Sequence, residues 1–513
     1  KNDKTYYKTN AEVRFGTAAD EYSFHVSNNI GWDKAANFLS VTVKQFGDLR
    51  MGKWRQHGYD DWGLITHYVD NDEMVVNDDP NIQVGTGYKQ VDILNNTAWR
   101  VNEEVFIRFN NQFSTTSNIP RYDNLQDYKD GELKWSKWSY GPQTRLMSSL
   151  DINSYKDSKF FDGNNLTLAY QFIEEDRITR KLQSDEYNNT YIDAHVTSLN
   201  WDFTLGKLVY GLELTNNNIL STATEGTQTR YPSGGSRLST AALYGSYKKE
   251  VNEYFVWNVG ARYSQVFGEM SFNETDPVFV TDHIKFNNGA LTGNVNLIYK
   301  PTKTWKFDWV ASSGFRAPNI DDYGKVFVKR GDMVIPNPDL TPEYAYNGEM
   351  SITKKWENLQ LTSNVYYTHL KDVIVKKDLG YTEIHEYEEV NVQTLMNSPE
   401  AHIYGWSLGM KTKLTPWLFF EESFTWQKGW DVSNDEPLGH IPPAFNKSLI
   451  KIKKDKIEYK LWGIYTLGKD IEDMNSSGVD NDDLGTIEGF PSWWTLNMSL
   501  QYKFNENLKL QLG

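Results

Sequence analysis

Strict alternation of apolar and polar residues in two arms around positions 300–304 constrains the fold of this chain most strongly. The apolar positions of the two arms are Leu291, Gly293, Val295, Leu297, Tyr299, Trp305, Phe307, Trp309 and Ala311. Successive side chains of a strand point to opposite faces of a sheet, so each arm has one apolar face and one largely polar face. A soluble sheet can show such a pattern. Large apolar side chains opposite Lys, Asp and Asn are, however, typical of a membrane barrel, with lipid outside and water inside.

The same alternation recurs along the whole chain, in roughly 21 or 22 segments. Short turns and long polar connections tend to alternate between the segments. The long polar connections lie at 48–85, 216–236, 268–286, 319–336, 430–446 and 468–492. Bacterial outer-membrane barrels have short periplasmic turns and long outside loops. The loop 319–336 is therefore expected to face outward.

Composition supports one continuous β-domain over residues 1–513, because no linker and no change of period interrupts the chain. The sequence has no run of 18 or more apolar residues, which argues against a membrane helix. The 18 Trp and 31 Tyr suit the aromatic girdles of a barrel. A carbohydrate-binding β-protein would be an alternative source of these aromatic residues. The chain has no Cys and therefore no thiol chemistry, and its net charge of -15 disfavours nucleic acid, which would need a basic face.

Eight short motifs occur in a fixed order along the chain. They are FGDLR (46–50), FSTTSNIPRYDNL (113–125), YGPQ (140–143), FRAPN (315–319), NPDLTPE (337–343), IYG (403–405), IPP (441–443) and PSWWTLN (491–497). Together, these motifs resemble the TonB-dependent outer-membrane receptors, most closely their haem and haemoglobin receptor branch.

The resemblance implies an all-β fold, a transmembrane antiparallel β-barrel of about 22 strands in the bacterial outer membrane. It also implies an N-terminal plug that contacts the TonB complex. No plug sequence is present, and the chain stops in mid-alternation. We therefore expect the barrel alone, without the plug and without roughly its last strand. The expected surroundings are outer-membrane lipid and lipopolysaccharide.

The function implied by the resemblance is TonB-dependent uptake of haem or of iron from a haem protein. Uptake of a siderophore, cobalamin or another scarce ligand is an alternative within the same class. An outer-membrane enzyme or a passive pore is a further alternative, from a different class. The chain has no HExxH, GxSxG or P-loop motif, so we expect no enzymatic activity. Haem is expected only as a transported ligand, not as a resident cofactor.

Candidate ligand-binding residues come from two of these motifs, FRAPN and NPDLTPE, which we call the FRAP and NPDL boxes, from the loop between them and from one other outer loop. They are Phe315, Arg316, Asn319, Tyr323, Asn337, Asp339, His57 and His67. Haem receptors of this kind commonly place a His between the two boxes, and this sequence has none there. Tyr323 or Met333 could supply an iron ligand instead, since both residue types occur as axial haem ligands.

Several of these candidates also have a structural interpretation. In this interpretation Tyr323 packs the loop and Met333 is incidental, and each lone loop His is only solvated. Arg316 would then pair with a carboxylate such as Asp321 or Asp339 to fix the loop. No resident metal site is predicted. The acidic loop 471–483 resembles a calcium loop, but Leu484 occupies the position where an EF-hand needs a bidentate Glu.

Overall fold

The alternating segments form strands, which pair with their neighbours along the chain into one large antiparallel sheet. The structure is a computed structural model. It describes residues 5–55, 58–227, 229–273, 282–324, 327–329, 331–385 and 388–513.

We number the strands in chain order. The first half of the chain contains β1 (Tyr6–Gly16), β2 (Glu21–Gly31), β3 (Ala35–Phe46), β4 (Leu49–Arg50), β5 (His67–Asp70), β6 (Glu73–Val76), β7 (Ile82–Gln83), β8 (Tyr88–Arg100), β9 (Val105–Thr116), β10 (Ile119–Pro120), β11 (Tyr128–Lys129), β12 (Glu132–Leu133), β13 (Trp135–Ser154), β14 (Gly163–Lys181), β15 (Tyr187–Leu205), β16 (Leu208–Ala223) and β17 (Ser236–Glu250). The second half contains β18 (Phe255–Ser271), β19 (His283–Thr302), β20 (Trp305–Arg316), β21 (Phe327–Lys329), β22 (Asp332–Ile335), β23 (Glu343–Lys355), β24 (Leu359–His385), β25 (Glu388–Thr415), β26 (Leu418–Asp431), β27 (Glu436–Pro437), β28 (Phe445–Lys454), β29 (Ile457–Thr466), β30 (Lys469–Asp470), β31 (Gly489–Phe490), β32 (Trp493–Lys503) and β33 (Lys509–Leu512).

Within the described ranges, helical structure is confined to short turns in the loops. The two α-helices are α1 (Tyr122–Leu125) and α2 (Ile320–Gly324), and two 3-10 turns span Ile471–Asp473 and Asp482–Leu484. Over the described residues, no helix has the length and apolar character needed to cross a membrane.

The main sheet has 25 strands, short segments included. Its long strands follow one another as an antiparallel meander, in which β3 pairs with β8, β9 with β13, β20 with β23 and β29 with β32. One contact breaks this pattern, because β22 runs parallel to β25 and pairs with it. The all-β prediction is thus confirmed, whereas a barrel of about 22 strands without a plug or last strand remains a prediction.

The two faces of the sheet differ as the alternation predicts. On one face, large apolar side chains such as Leu291, Val295 and Trp309 are exposed. On the other face, polar side chains bond to each other across the strands. The Asp92 carboxylate, for example, accepts hydrogen bonds from Ser114 at 2.7 Å and from Gln90 at 2.8 Å. We call these the apolar face and the polar face.

The predicted short turns lie where expected, but the strands reach further into the long connections than their composition indicates. The turn between β19 and β20 is confirmed, as is the turn between β15 and β16. However, the predicted loop 216–236 is wrong at its start, since β16 continues to Ala223. The predicted loop 268–286 is likewise shortened by β18 and β19. The polar residues at these positions show where the strand stops facing an apolar environment. Backbone pairing between the strands continues beyond that point.

Loops from opposite ends of the meander touch each other. Tyr59 donates a hydrogen bond to Glu488 at 2.6 Å, and the Trp62 indole donates to the Leu484 carbonyl at 2.9 Å. The Trp62 ring also packs against Phe490, with centroids 6.3 Å apart. Such contacts require strong curvature of the sheet, as in a barrel.

The largest buried cluster lies in the loop layer rather than within the sheet. Its members are Met270, Phe272, Ile284, Ile320, Tyr323 and Leu340. They come from the ends of β18 and β19, from α2 and from the segment before β23. The long loops therefore form a packed layer of their own at one end of the sheet.

Candidate functional site

The segment between Ala317 and Pro342, which we call the cap segment, begins with a rigid turn around Asn319. The Asn319 Oδ1 accepts the backbone N–H of Asp322 at 2.9 Å, and the Asp322 carboxylate accepts the Asn319 N–H at 2.8 Å. This reciprocal pair satisfies the free N–H groups at the start of α2. Asn319 therefore acts as a helix cap.

Arg316 ties three elements together. Its guanidinium donates to Asp322 at 2.6 Å and also to Glu343, so that the end of β20, α2 and the start of β23 are linked. The expected pairing with Asp321 or Asp339 is wrong, because the Asn319 cap directs Asp322 rather than Asp321 toward Arg316. The predicted kind of interaction, an ion pair that fixes the loop, is present.

Tyr323 is buried in the core of the loop layer, with 2 % of its surface exposed. Its hydroxyl donates to the Leu340 carbonyl at 2.7 Å, and its ring stacks on Phe286 with centroids 4.3 Å apart. Burial raises the pKa of the Tyr323 phenol above its ordinary value. Since an iron ligand would have to be an accessible phenolate, the geometry supports the packing interpretation of this residue.

The NPDL box is held against β25. The Asn337 amide donates to the Leu395 carbonyl at 2.7 Å, and its Oδ1 accepts the Asp339 N–H at 3.0 Å. Asp339 itself is exposed. Phe315, at the other box, packs against Tyr344 with ring centroids 5.6 Å apart.

The remaining iron-ligand candidates do not converge on one point. Met333 is buried against Val390 and Val392. His67 lies in the β5–β6 hairpin, where Gln126 donates to its carbonyl at 3.2 Å. His57 lies outside the described residues, and its role stays a prediction.

A group of arginine and tyrosine side chains brings several motifs together at the loop end of the polar face. We call it the arginine–tyrosine group: Arg121, Tyr140, Arg177, Arg230 and Tyr231. Arg121 donates to the Tyr140 hydroxyl at 3.0 Å, and the Arg177 guanidinium lies 5.2 Å from the centroid of the same ring. Tyr140 is thus held between two cations.

Arg230 joins this group to the cap segment. Its Nε donates to the Asp321 carboxylate at 3.0 Å, and its guanidinium lies 5.5 Å from the Tyr231 ring centroid. Burial lowers the pKa of Arg230, but the Asp321 ion pair outweighs this effect and the net shift is upward. Arg230 is also near enough to Arg177 for their charges to interact.

Arg177 is the member of this group with an unused hydrogen-bond donor. Its Nε is buried and makes no hydrogen bond within the described part of the chain. A buried donor without a partner costs free energy, which an arriving carboxylate or phosphate would recover. None of the five residues was among the predicted site residues, although Arg121 and Tyr140 lie in the motifs FSTTSNIPRYDNL and YGPQ.

A cavity of about 730 Å³ adjoins the group on the polar face. Gln143 and Glu175, neighbours of Tyr140 and Arg177 on β13 and β14, line it and bond to each other at 2.8 Å. Asp92, Ser114 and Arg145 line it further along the face. The cavity and the neighbouring cations together form a candidate polar binding region at the loop end of the sheet.

A family model described as "TonB dependent receptor-like, beta-barrel" matches residues 3–513. The chain belongs to this family. As a TonB-dependent receptor barrel it is an outer-membrane protein, in a family of receptors and transporters rather than enzymes. Its apolar face therefore meets lipid, and its polar face lines the interior.

One curated relative is the hemoglobin and hemoglobin-haptoglobin-binding protein A of Haemophilus influenzae, which is 24% identical over 259 residues. The match spans 40% of this chain and 24% of that relative.

Among solved structures, the copper transporter OprC has a TM-score of 0.76 at 12% identity, over 99% of this chain and 76% of that chain. The Serratia marcescens hemophore receptor HasR, in complex with its hemophore and heme, has a TM-score of 0.71 at 11% identity, over 99% of this chain and 76% of that chain. The ferric enterobactin receptor PfeA of Pseudomonas aeruginosa has a TM-score of 0.68 at 13% identity, over 99% of this chain and 74% of that chain. At such identities the likeness shows the fold alone.

Proposed function

We propose that this chain forms the barrel of a receptor that takes up haem, or haem delivered by a haem protein, with energy supplied through TonB. The arginine–tyrosine group carries the proposal. Haem presents two propionate carboxylates and a flat aromatic ring, and arginine recognises carboxylates through paired hydrogen bonds. Arg177, with its unused donor, would bind a propionate, while the ring of Tyr231 offers a flat surface for the haem ring.

The sequence relation to a haemoglobin-binding receptor supports the same ligand class. In this proposal the cap segment is a rigid part of the entrance, held by Arg316 and Tyr323. Neither residue is then an iron ligand. The axial ligand of haem iron in the receptor would have to come from other residues or from the delivering protein.

Uptake of a ferric siderophore is a second candidate, favoured by the missing His between the two boxes. A siderophore already saturates its iron, so the receptor needs to supply no metal ligand. It needs to match only the charge and shape of the complex, for which the same cations suffice.

Titration of the complete receptor in detergent micelles with haem, with haem dimethyl ester and with a ferric siderophore tests both candidates. We expect haem to shift its Soret band on binding, and the ester, which lacks free carboxylates, to bind at least tenfold more weakly. Equal affinity for haem and its ester would contradict propionate recognition. No haem binding together with siderophore binding would favour the second candidate.

The matched variants are Arg177→Ala and Arg108→Ala. Arg108 is an exposed arginine on the same polar face, near the short-turn end of β9. Loss of a hydrogen bond between charged groups costs about 1.5–3 kcal/mol, so Arg177→Ala should weaken haem binding about 10- to 100-fold. Arg108→Ala should leave it unchanged, and an equal loss in both variants would count against a specific site.

A further inference from the structure

A cluster of two histidines and one glutamate lies on the wall of the sheet, outside the region described above. His369 on β24 is the direct cross-strand partner of His402 on β25. Glu400 precedes His402 by two residues and therefore points to the same face. One ligand atom from each of the three side chains lies within 4.8 Å of the other two.

The three side chains lie on the apolar, outward face. Residues two and four positions before His369 on β24, Tyr367 and Val365, are exposed and have the same strand parity. The opposite parity carries the polar contacts of the interior, such as the 2.8 Å hydrogen bond from Thr368 to Asn347. A ligand bound by His369 would therefore not lie on the transport path.

The height of the cluster along the strand places it at the outer edge of the lipid layer. His369 is ten residues above the start of β24 at the short-turn end. Ten residues of a tilted strand rise by about 25 Å, which is the height of the apolar band of such barrels. Next to it, Tyr367 and Tyr404 belong to the aromatic rim, and the following pair on the same face is charged, Lys371 and Glu400.

We propose that His369, Glu400 and His402 form a site for a divalent transition metal of the zinc, nickel and copper class. Two imidazoles and one carboxylate are a donor set that these ions prefer. The Glu400 Oε1 lies 3.4 Å from the His369 Nδ1 and 3.4 Å from the His402 Nε2. Donors bound at about 2.1 Å around a tetrahedral ion are about 3.4 Å apart, so both distances from Glu400 match such an ion. The His369 Nδ1 also lies 3.5 Å from the His402 Nδ1.

A second interaction orients one of the ligands. The Tyr367 hydroxyl lies 2.6 Å from the His402 Nδ1. With Nδ1 engaged by Tyr367, Nε2 is left to face Glu400 and the metal, and such an outer partner is typical of histidine metal ligands. The side chains of both histidines are 25% exposed and that of Glu400 is 44% exposed. The site is therefore open to solvent on one side, where water or an external anion would complete the coordination.

A second histidine of the same wall provides a matched control. His195 on β15 also faces a tyrosine hydroxyl, that of Tyr170 at 2.9 Å, and also follows an acidic residue by two positions, Asp193. Its cross-strand partner is Phe172 instead of a histidine. It thus shares the tyrosine contact and an acidic residue two positions before the histidine, but lacks the second imidazole.

The test is calorimetric titration of the complete receptor with Zn²⁺, after removal of any affinity tag and of bound metal with EDTA. Absorption of Co²⁺ in the same protein reports tetrahedral coordination. We expect one tight equivalent, lost in His369→Gln and in His402→Gln and retained in His195→Gln. Tyr367→Phe should weaken binding about tenfold or more.

Absence of a tight equivalent in the unmodified receptor would overturn the proposal, as would its survival in both histidine variants. An equal loss in His195→Gln would also overturn it. Retention of the heat-modifiable migration of the folded barrel in gels shows that a variant has folded. Because glutamine preserves size and hydrogen bonding on an exposed face, we expect all variants to fold.

Discussion

The wall of the sheet and the loop layer above it use large apolar side chains in opposite ways. On the wall, Leu243 is 65% exposed, whereas Tyr323 in the loop layer is 2 % exposed. The difference follows from the solvent of each region. A lipid-facing wall loses nothing by exposing leucine, while a loop layer in water is stabilised by burying its apolar residues as a soluble domain does.

Charged groups show the reverse contrast. In the loop layer, the ion pair Arg230–Asp321 joins two loops that are distant in sequence, and Lys469–Asp480 links two parts of one loop. On the outward wall near His369, the charged pair Lys371 and Glu400 lies beyond the aromatic rim of Tyr367 and Tyr404. Loss of a large apolar side chain should therefore destabilise the loop layer more than the wall, and a new charge should destabilise the lipid-facing wall more than the loop layer.

The largest expected effect is on the loop layer. Tyr323→Ala removes a buried ring and should destabilise the local packing of the cap segment by about 3–5 kcal/mol. Amide hydrogen exchange of α2 and β22 should rise accordingly. The matched change Tyr263→Ala, at an exposed wall tyrosine, should leave this exchange unchanged. Equal exchange in the two variants would show that Tyr323 does not hold the cap segment.

Introducing a charged side chain should destabilise the protein more on the apolar face of the wall than on its polar face. Val295 is exposed on the apolar face of β19 and its neighbour Asn296 lies on the polar face. Val295→Arg should lower the free energy of unfolding by about 2–4 kcal/mol, the cost of an arginine near the bilayer midplane. Asn296→Arg should cost far less. Denaturant titration in lipid vesicles measures both, and a reversed order would contradict the assignment of the faces.

The ion pair between Arg230 and the cap segment should have a smaller effect. Asp321→Asn removes the carboxylate that Arg230 binds, and should ease opening of α2 by about 1–2 kcal/mol in hydrogen exchange. Asp339→Asn, at an exposed carboxylate of the same segment, is the control and should change little. If the two variants behave alike, the Arg230 link does not stabilise the cap segment.

The smallest effect is a dependence on pH. Burial raises the pKa of Asp480, but hydrogen bonds from the Asn475 and His440 backbones and from Lys469 outweigh it, so the pKa lies below the ordinary 3.8. A lowered carboxylate pKa stabilises the fold above pH 3.8, and this contribution is lost as the pH falls through the native pKa. Hydrogen exchange around β30, corrected for intrinsic rates, should therefore increase below that pH. In Asp480→Asn this increase should be absent, and its persistence would assign the effect to other groups.

Much of the fold could be predicted because period-two alternation is a local property. The short turns next to Thr302 and Leu205 followed from it directly. The upper ends of β16 and β18 did not, since a strand can continue in water once its apolar face has ended. The interactions that hold the cap segment were predicted only in part. Arg316 forms the expected kind of ion pair with different partners, because helix capping by Asn319 selects Asp322.

The sequence by itself determined that the chain forms strands, that each strand has a lipid-type and a water-type face, and where short turns join them. These features depend on residues a few positions apart. Only the tertiary structure decided that Arg121 and Arg177 share Tyr140, and that His369 stands opposite His402. Strand register and loop packing set those neighbours, and both depend on the chain between them rather than on any local pattern.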